Sequence, residues 1–163
     1  MSNLAFFQQC RGNENPKFRA VVGAVVPAGL EWKPDPKSRS ARQLIGHLIG
    51  HEQDLIELLD AGVIHHRNQV PFTTLEDGLA QLGQAQTDLD ARLGSVSEET
   101  WGKAADFLAG EHLIARAPVG GLMWMIFFDS IHHRGQLSTY LRPIGGKVPS
   151  IYGPSADSAG PGG

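Results

Sequence analysis

The sequence predicts an all-α protein, an up-and-down bundle of four helices, and three observations carry that expectation. Four segments repeat apolar residues at the three-and-four spacing of a helix that buries one face. Almost no stretch alternates apolar and polar residues as a half-buried strand does. A chain of 163 residues buries roughly 68–70% of its unfolded surface on folding, so one core suffices. A single domain over residues 1–157 is therefore expected, with a flexible tail at 158–163.

The first helix is read as starting at Asn15-Pro16, because Asn caps orphan N–H groups and Pro suits the first helical position. Phe18, Val21, Val22, Val25 and Val26 follow at helical spacing, and Pro27 with Gly29 ends the element. Trp32-Lys33-Pro34-Asp35-Pro36 reads as an extended connector, since each Pro pushes the residue before it out of the α region. A second helix starts near Ser38 or Ser40 and runs to Ala61, with Gly62 as its stop. Its apolar positions are Leu44, Ile45, Leu48, Leu55, Ile56, Leu58 and Leu59. His65 to Pro71 reads as a loop. Thr73 and Glu76 then form a capping box for a third helix reaching about Leu93. Between Gly94 and Gly121 the pattern weakens to a short helical turn at Ser97-Glu98-Glu99 and a brief strand at His112 to Arg116. The last long helix runs from about Leu122 to Leu141 and is ended by Pro143 and Gly145-Gly146. Ser150 to Asp157 reads as an ordered loop anchored by Ile151 and Tyr152.

Composition narrows the function classes. With 14 Lys+Arg against 17 Asp+Glu the formal charge is −3, which leaves no electrostatic footprint for nucleic acid or an anionic membrane. Cys10 is the single cysteine, so no internal disulfide forms. The opening residues lack the basic flank and apolar stretch of a secretory signal. The longest apolar run, Leu122 to Phe128, is far short of the ~20 residues that span a bilayer. A cytoplasmic location is expected, with a small molecule rather than nucleic acid or membrane as partner.

Polar residues inside an apolar helical stripe require an explanation, because burying them unpaired costs roughly 1–3 kcal/mol each. At about 100° per residue, the last helix places Leu122, Ile126, Asp129, His133, Leu137 and Tyr140 along one stripe. The second helix places His47 and His51 inside its own stripe. Bundles build metal sites from inward histidines and carboxylates on facing helices in this way. Two His and one Asp leave coordination positions open for water or substrate, a catalytic arrangement that suits Zn²⁺, Ni²⁺, Mn²⁺ or Fe²⁺. The plainer alternative is that Asp129 and His133, four apart, form a buried ion pair.

Phe128-Asp-Ser-Ile-His-His-Arg-Gly-Gln-Leu-Ser-Thr-Tyr-Leu-Arg142, with Gly145 to Asp157 behind it, resembles the C-terminal signature of the DinB/YfiT-like metalloenzymes. Lys37-Ser-Arg-Ser-Ala-Arg-Gln-Leu-Ile-Gly-His47, with Glu52 beyond it, resembles that family's ligand-bearing second helix. This family is the damage-inducible bundle protein, not the translesion polymerase. The resemblance spans about Asn15 to Asp157. It implies a four-helix bundle, a homodimer, and a divalent metal held by three histidines. Carried onto this chain, the ligands are His47 and His133, with Asp129 standing where many members have His. His51 is the alternate ligand. The resemblance further implies a metal-dependent enzyme, either a transferase of a low-molecular-weight thiol or a hydrolase. Zn or Ni leads as the metal, with Mn or Fe as the other choices. The competing reading is a stress-inducible protein that binds a metal or ligand without turnover.

Smaller expectations attach to other residues. Gln136, one turn beyond His132 and His133, is a candidate substrate- or water-binding amide, or a plain surface residue. Tyr152 is a candidate cap on the site, or a packing residue. Arg134 points to a salt bridge within the bundle or across a dimer. Trp124, Phe127 and Phe128 suggest packing or a dimer contact, while His65 and His66 read as solvated loop residues. Gly145-Gly146-Lys147 lacks the upstream glycine of a phosphate loop, and Leu55 stands where a zincin helix has its second His.

Overall fold

The computed structural model describes residues 1–158; the remaining positions of the expected tail lie outside the described residues. In chain order the elements are α1 (Asn3–Gly23), a 3₁₀ turn (Pro27–Gly29), α2 (Ala41–Ala61), β1 (Val63–His65), α3 (Leu75–Leu93), α4 (Glu98–Gly102), β2 (Ala104–Ala109), β3 (His112–Pro118) and α5 (Val119–Tyr140). The four long helices α1, α2, α3 and α5 form the bundle. α2 packs on α3 and α5, and α1 packs on the same two from the other side. A short α4 and the strands β2 and β3 are inserted between α3 and α5, and with β1, which follows α2, they make a three-stranded sheet, so the molecule is mostly helical rather than purely α.

The sheet is the first correction. Only His112 to Arg116 was expected as a strand; β3 is there, but it is the second half of a hairpin with β2, turned at Gly110 in the left-handed region (φ 59°). β1 joins β2 in parallel, with Ile64 opposite Phe107 and His65 opposite Leu108. Three residues of strand carry too little alternation to stand out from a loop, and only pairing with β2 makes them a strand.

α1 is the second correction. It begins at Asn3, not Asn15, with the Ser2 hydroxyl accepting the Ala5 N–H at 3.2 Å. Its buried positions, Leu4, Phe7, Arg11, Glu14, Asn15, Phe18, Val21 and Val22, do follow helical spacing, but three are polar. Arg11 donates to Glu52 on α2 at 2.8 Å and to Asp90 on α3 at 2.8 Å, and Asn15 also reaches Asp90 at 2.8 Å. These bonds hold the polar residues inward, although the buried Asn15 Oδ1 finds no partner, and Pro16 sits inside the helix despite its missing donor.

The ends of α2 match expectation. Ser40 and Gln43 make a capping box, and Gly62 closes the helix in the left-handed region (φ 72°) with its N–H on the Leu58 carbonyl at 3.0 Å. α3 is capped one residue later than expected: Thr74 accepts from the Asp77 N–H at 3.2 Å, while Asp77 accepts from the Thr73 N–H at 2.8 Å. The short turn at Ser97 is α4, capped by the Ser97 hydroxyl, and the five-membered ring of its Trp101 packs against Gly120 of α5, where no Cβ would fit.

Candidate metal centre

α2 and α5 face each other along their middle turns, and β1 with the loop after it closes the third side. On α2, His47 and His51 are both buried, with side chains 4% and 1% exposed. On α5, Asp129 and His133 stack one turn apart, the carboxylate half exposed at 49% and the imidazole 14%. The Oδ2 oxygen of Asp129 lies 3.9 Å from His47 Nε2, 3.4 Å from His51 Nε2 and 3.3 Å from His133 Nε2. The expected residues therefore converge on one point, and the rings of both His47 and His51 face it. Glu52 turns the other way, to Arg11.

The opposite ring nitrogens explain why those three Nε2 atoms face inward. His47 Nδ1 is 2.7 Å from the Asn68 carbonyl, which can only accept, so Nδ1 carries the proton. His51 Nδ1 is 2.9 Å from Ser130 Oγ, whose own proton goes to the Ile126 carbonyl at 2.9 Å, so the hydroxyl accepts from the ring. His133 Nδ1 donates to Gln136 Oε1 at 2.7 Å. Each ring thus points its Nε2 at the same carboxylate oxygen, the orientation that hydrogen-bonded outer partners impose on metal-bound histidines.

Burial, aided by the neighbouring positive groups, pushes His47 from its ordinary 6.5 down to about 4. Burial next to His47 pushes His51 down to about 3. The Asp129 carboxyl falls to about 2, chiefly through its hydrogen bond with His133. At neutral pH, then, two bare nitrogen lone pairs face an ionised oxygen. Acceptors aimed at acceptors repel one another, and a cation among them removes the repulsion; the donor set of nitrogen and carboxylate oxygen suits a divalent transition ion. His47, Asp129 and His133 offer ligand atoms that all lie within 4.8 Å of one another.

A cleft of about 450 Å³ opens beside Asp129, with Phe107, Met125, Ile126 and Phe128 as its apolar walls and His132 at its edge. Two sequence expectations change here. His66 is not a solvated loop residue: its Nδ1 is 2.8 Å from Asp54, a carboxylate with no exposed surface, and its ring lies 5.5 Å from that of His47. Tyr152 does not cap this centre. Its hydroxyl donates to Glu14 at 2.8 Å and accepts from Arg134 at 2.7 Å, beside a different cleft against α1. Gln136 belongs to the centre, but as the partner that orients His133. His65 is exposed as expected and bonds Glu57 at 2.7 Å. One signal for His66 was present in the sequence: Asp54 falls on the inward stripe of α2, three residues after His51, and an inward carboxylate needs a donor.

The fold and this histidine-lined gap between two bundle helices define the class, and the comparisons with known proteins agree. Residues 15–137 match the model of the DinB superfamily, and the chain belongs to it. Among solved structures, the fold resembles a DinB-like protein from Bacillus subtilis (TM-score 0.71, 17% identity, 90% of this chain and 97% of that one). A DinB-like protein from Bacillus cereus is similar too (TM-score 0.73, 16% identity, 90% and 95%). So, more distantly, is a mycothiol-dependent maleylpyruvate isomerase (TM-score 0.54, 12% identity), of which the match covers 64% against 96% of this chain. No curated protein matches the sequence.

Proposed function

We propose that this protein is a divalent-metal-dependent enzyme that activates a small nucleophile, a low-molecular-weight thiol or water, at the α2–α5 centre. The observation that carries the reading is the convergence of three Nε2 atoms, each with its Nδ1 proton engaged elsewhere, on one Asp129 oxygen. A Zn²⁺ or Ni²⁺ ion held there by His47, His51, Asp129 and His133 would lower the pKa of a bound thiol or water and make it nucleophilic at neutral pH. The chain's residues supply the rest. Asn68, Ser130 and Gln136 hold the three rings in their productive tautomers. The apolar walls of the cleft keep bulk water from the reacting partner and hold a substrate of compact size. The half-exposed Asp129 places the reactive position at the mouth, where a substrate enters from solvent. The fold likeness to a mycothiol-dependent isomerase supports the thiol version of the reading.

The test is metal content by mass spectrometry on untagged protein, beside Asp129→Ala and His133→Ala, followed by thiol transfer to monochlorobimane. The expected result is near-stoichiometric metal in the wild type, loss in both variants, and metal-dependent transfer with bacillithiol, mycothiol or glutathione. Failure to bind Zn²⁺, Ni²⁺, Mn²⁺ or Fe²⁺ would reduce Asp129–His133 to a structural pair. Metal binding without turnover of thiol or ester substrates would leave a binding protein.

A further inference from the structure

We propose that His66 is a further metal ligand, forming with His47 and His51 an all-imidazole face of the centre that favours nitrogen-seeking ions; the inference rests on the metal reading above. His47, His51 and His66 offer ligand atoms within 4.8 Å of one another, a set that meets the Asp129 set at His47. The backbone of His66 is fixed, because its N–H extends the β1–β2 ladder to the Leu108 carbonyl at 2.8 Å. Its ring is fixed as well. Nδ1 donates to Asp54 at 2.8 Å, and the ring edge meets Phe107 at 5.4 Å between centroids.

Asp54 is a well-made orienter. It lies on α2 on the same stripe as His47 and His51, its side chain is wholly buried, and it also accepts from the Arg67 backbone N–H at 3.1 Å and from Arg67 Nη1 at 3.0 Å. With Nδ1 committed to this carboxylate, the lone pair that remains on His66 is at Nε2. A purely structural His–Asp pair has no need of two more imidazoles facing it. All four rings share one construction, Nδ1 held by an outer acceptor (Asn68, Ser130, Gln136 or Asp54), which leaves Nε2 as the atom each can offer a metal. For His66 that acceptor is a carboxyl group, the outer partner that orients a ligating ring and raises its basicity. Four imidazoles against one carboxylate shift preference toward Ni²⁺, Cu²⁺ and Zn²⁺ and away from Mn²⁺ and Mg²⁺. His66 is the one ligand carried on sheet-anchored backbone rather than on a helix, so metal occupancy also ties β1 to the bundle.

The experiment is proton NMR of full-length protein loaded with Co²⁺, which shifts the exchangeable N–H of every coordinated imidazole far from the diamagnetic range. Four shifted N–H signals are expected, with one lost in His66→Asn and none lost in a His65→Ala control. The same His66→Asn protein is expected to bind Ni²⁺ about tenfold or more weakly while its Mn²⁺ affinity changes less. Three shifted signals in the wild type would overturn the assignment of His66 and leave the Asp129 centre standing. No shifted signals at all would overturn both. The wild-type count needs no variant, so a misfolded His66→Asn protein does not decide the question.

Discussion

His133 and Arg134 are neighbours on α5, yet they belong to two buried polar clusters that are built on opposite principles. Arg134 reaches toward α1, where it pairs with Glu14, donates to the Tyr152 hydroxyl at 2.7 Å, and stacks over Phe18 at 4.8 Å. There both oxygens of Glu14 meet donors, Lys17 on one and Arg134 with the Tyr152 hydroxyl on the other, so the carboxylate is fully paired inside the cluster. On the other side of the same helix, His133 faces His47, His51 and Asp129, a set in which the Nδ1 protons are engaged outside and the Nε2 atoms gather at one carboxylate oxygen. The first cluster closes on itself and stabilises the fold. The second gathers donor atoms that a cation would pair, and on the reading proposed above it is the working site.

The largest expected effect separates the two. Asp129→Ala and His133→Ala abolish bound metal and leave thermal stability of the metal-free protein little changed. Glu14→Ala keeps the metal but leaves a buried guanidinium unpaired and costs about 3–5 kcal/mol. Metal analysis beside chemical denaturation checks both, and metal loss in Glu14→Ala would break the distinction. Next comes the supporting layer. Ser130→Ala or Gln136→Leu frees one ring from its orienting partner and weakens metal affinity by about 10- to 100-fold, measured by competition with a chromogenic chelator.

Gly50 sharpens the comparison from the backbone side. A Cβ there would collide with the Arg67 carbonyl oxygen, and Gly46 faces Val70 in the same way, so the loop bearing His66 and Asn68 lies directly on α2. Gly50→Ala is expected to cost about 1–3 kcal/mol by overpacking and to weaken metal binding with it. Gly12→Ala, on the exposed face of α1 with nothing near its Cβ position, is expected to stabilise by about 0.5–1 kcal/mol and leave metal untouched. Denaturation midpoints read both.

The pH dependence follows from the same burial. His47 and His51 titrate near 6.5 in the unfolded chain but at about 4 and about 3 when folded. Above 6.5 both states are neutral and stability is flat. As pH falls below 6.5 the unfolded chain takes up protons that the folded one refuses, so stability drops progressively toward pH 4. Urea midpoints of chelator-treated protein between pH 4 and 8 check this. The His47→Leu/His51→Leu double variant is expected to lose the slope.

The helical bundle, the ends of α2, and the placing of His47, Asp129 and His133 on inward stripes were all legible in the sequence. Caps and the 3.6-residue period are local signals, carried by residues within one or two turns. The early start of α1 was hidden because Arg11, Glu14 and Asn15 hold its inward positions, and only partners on other helices, Glu52, Asp90 and Arg134, reveal why they are there. The sheet was equally hidden, since β1 is defined by pairing with a strand some forty residues away. Spacing showed that Asp129 and His133 share a face; it left open whether His47 or His51 meets them. Tertiary structure decided that both do, that Tyr152 lies across α5 from them, and that His66 and Asp54 close the third side. Those outcomes depend on the angle at which α2 meets α5 and on where the β1 loop lies against Gly46 and Gly50, contacts that no local pattern in the chain encodes.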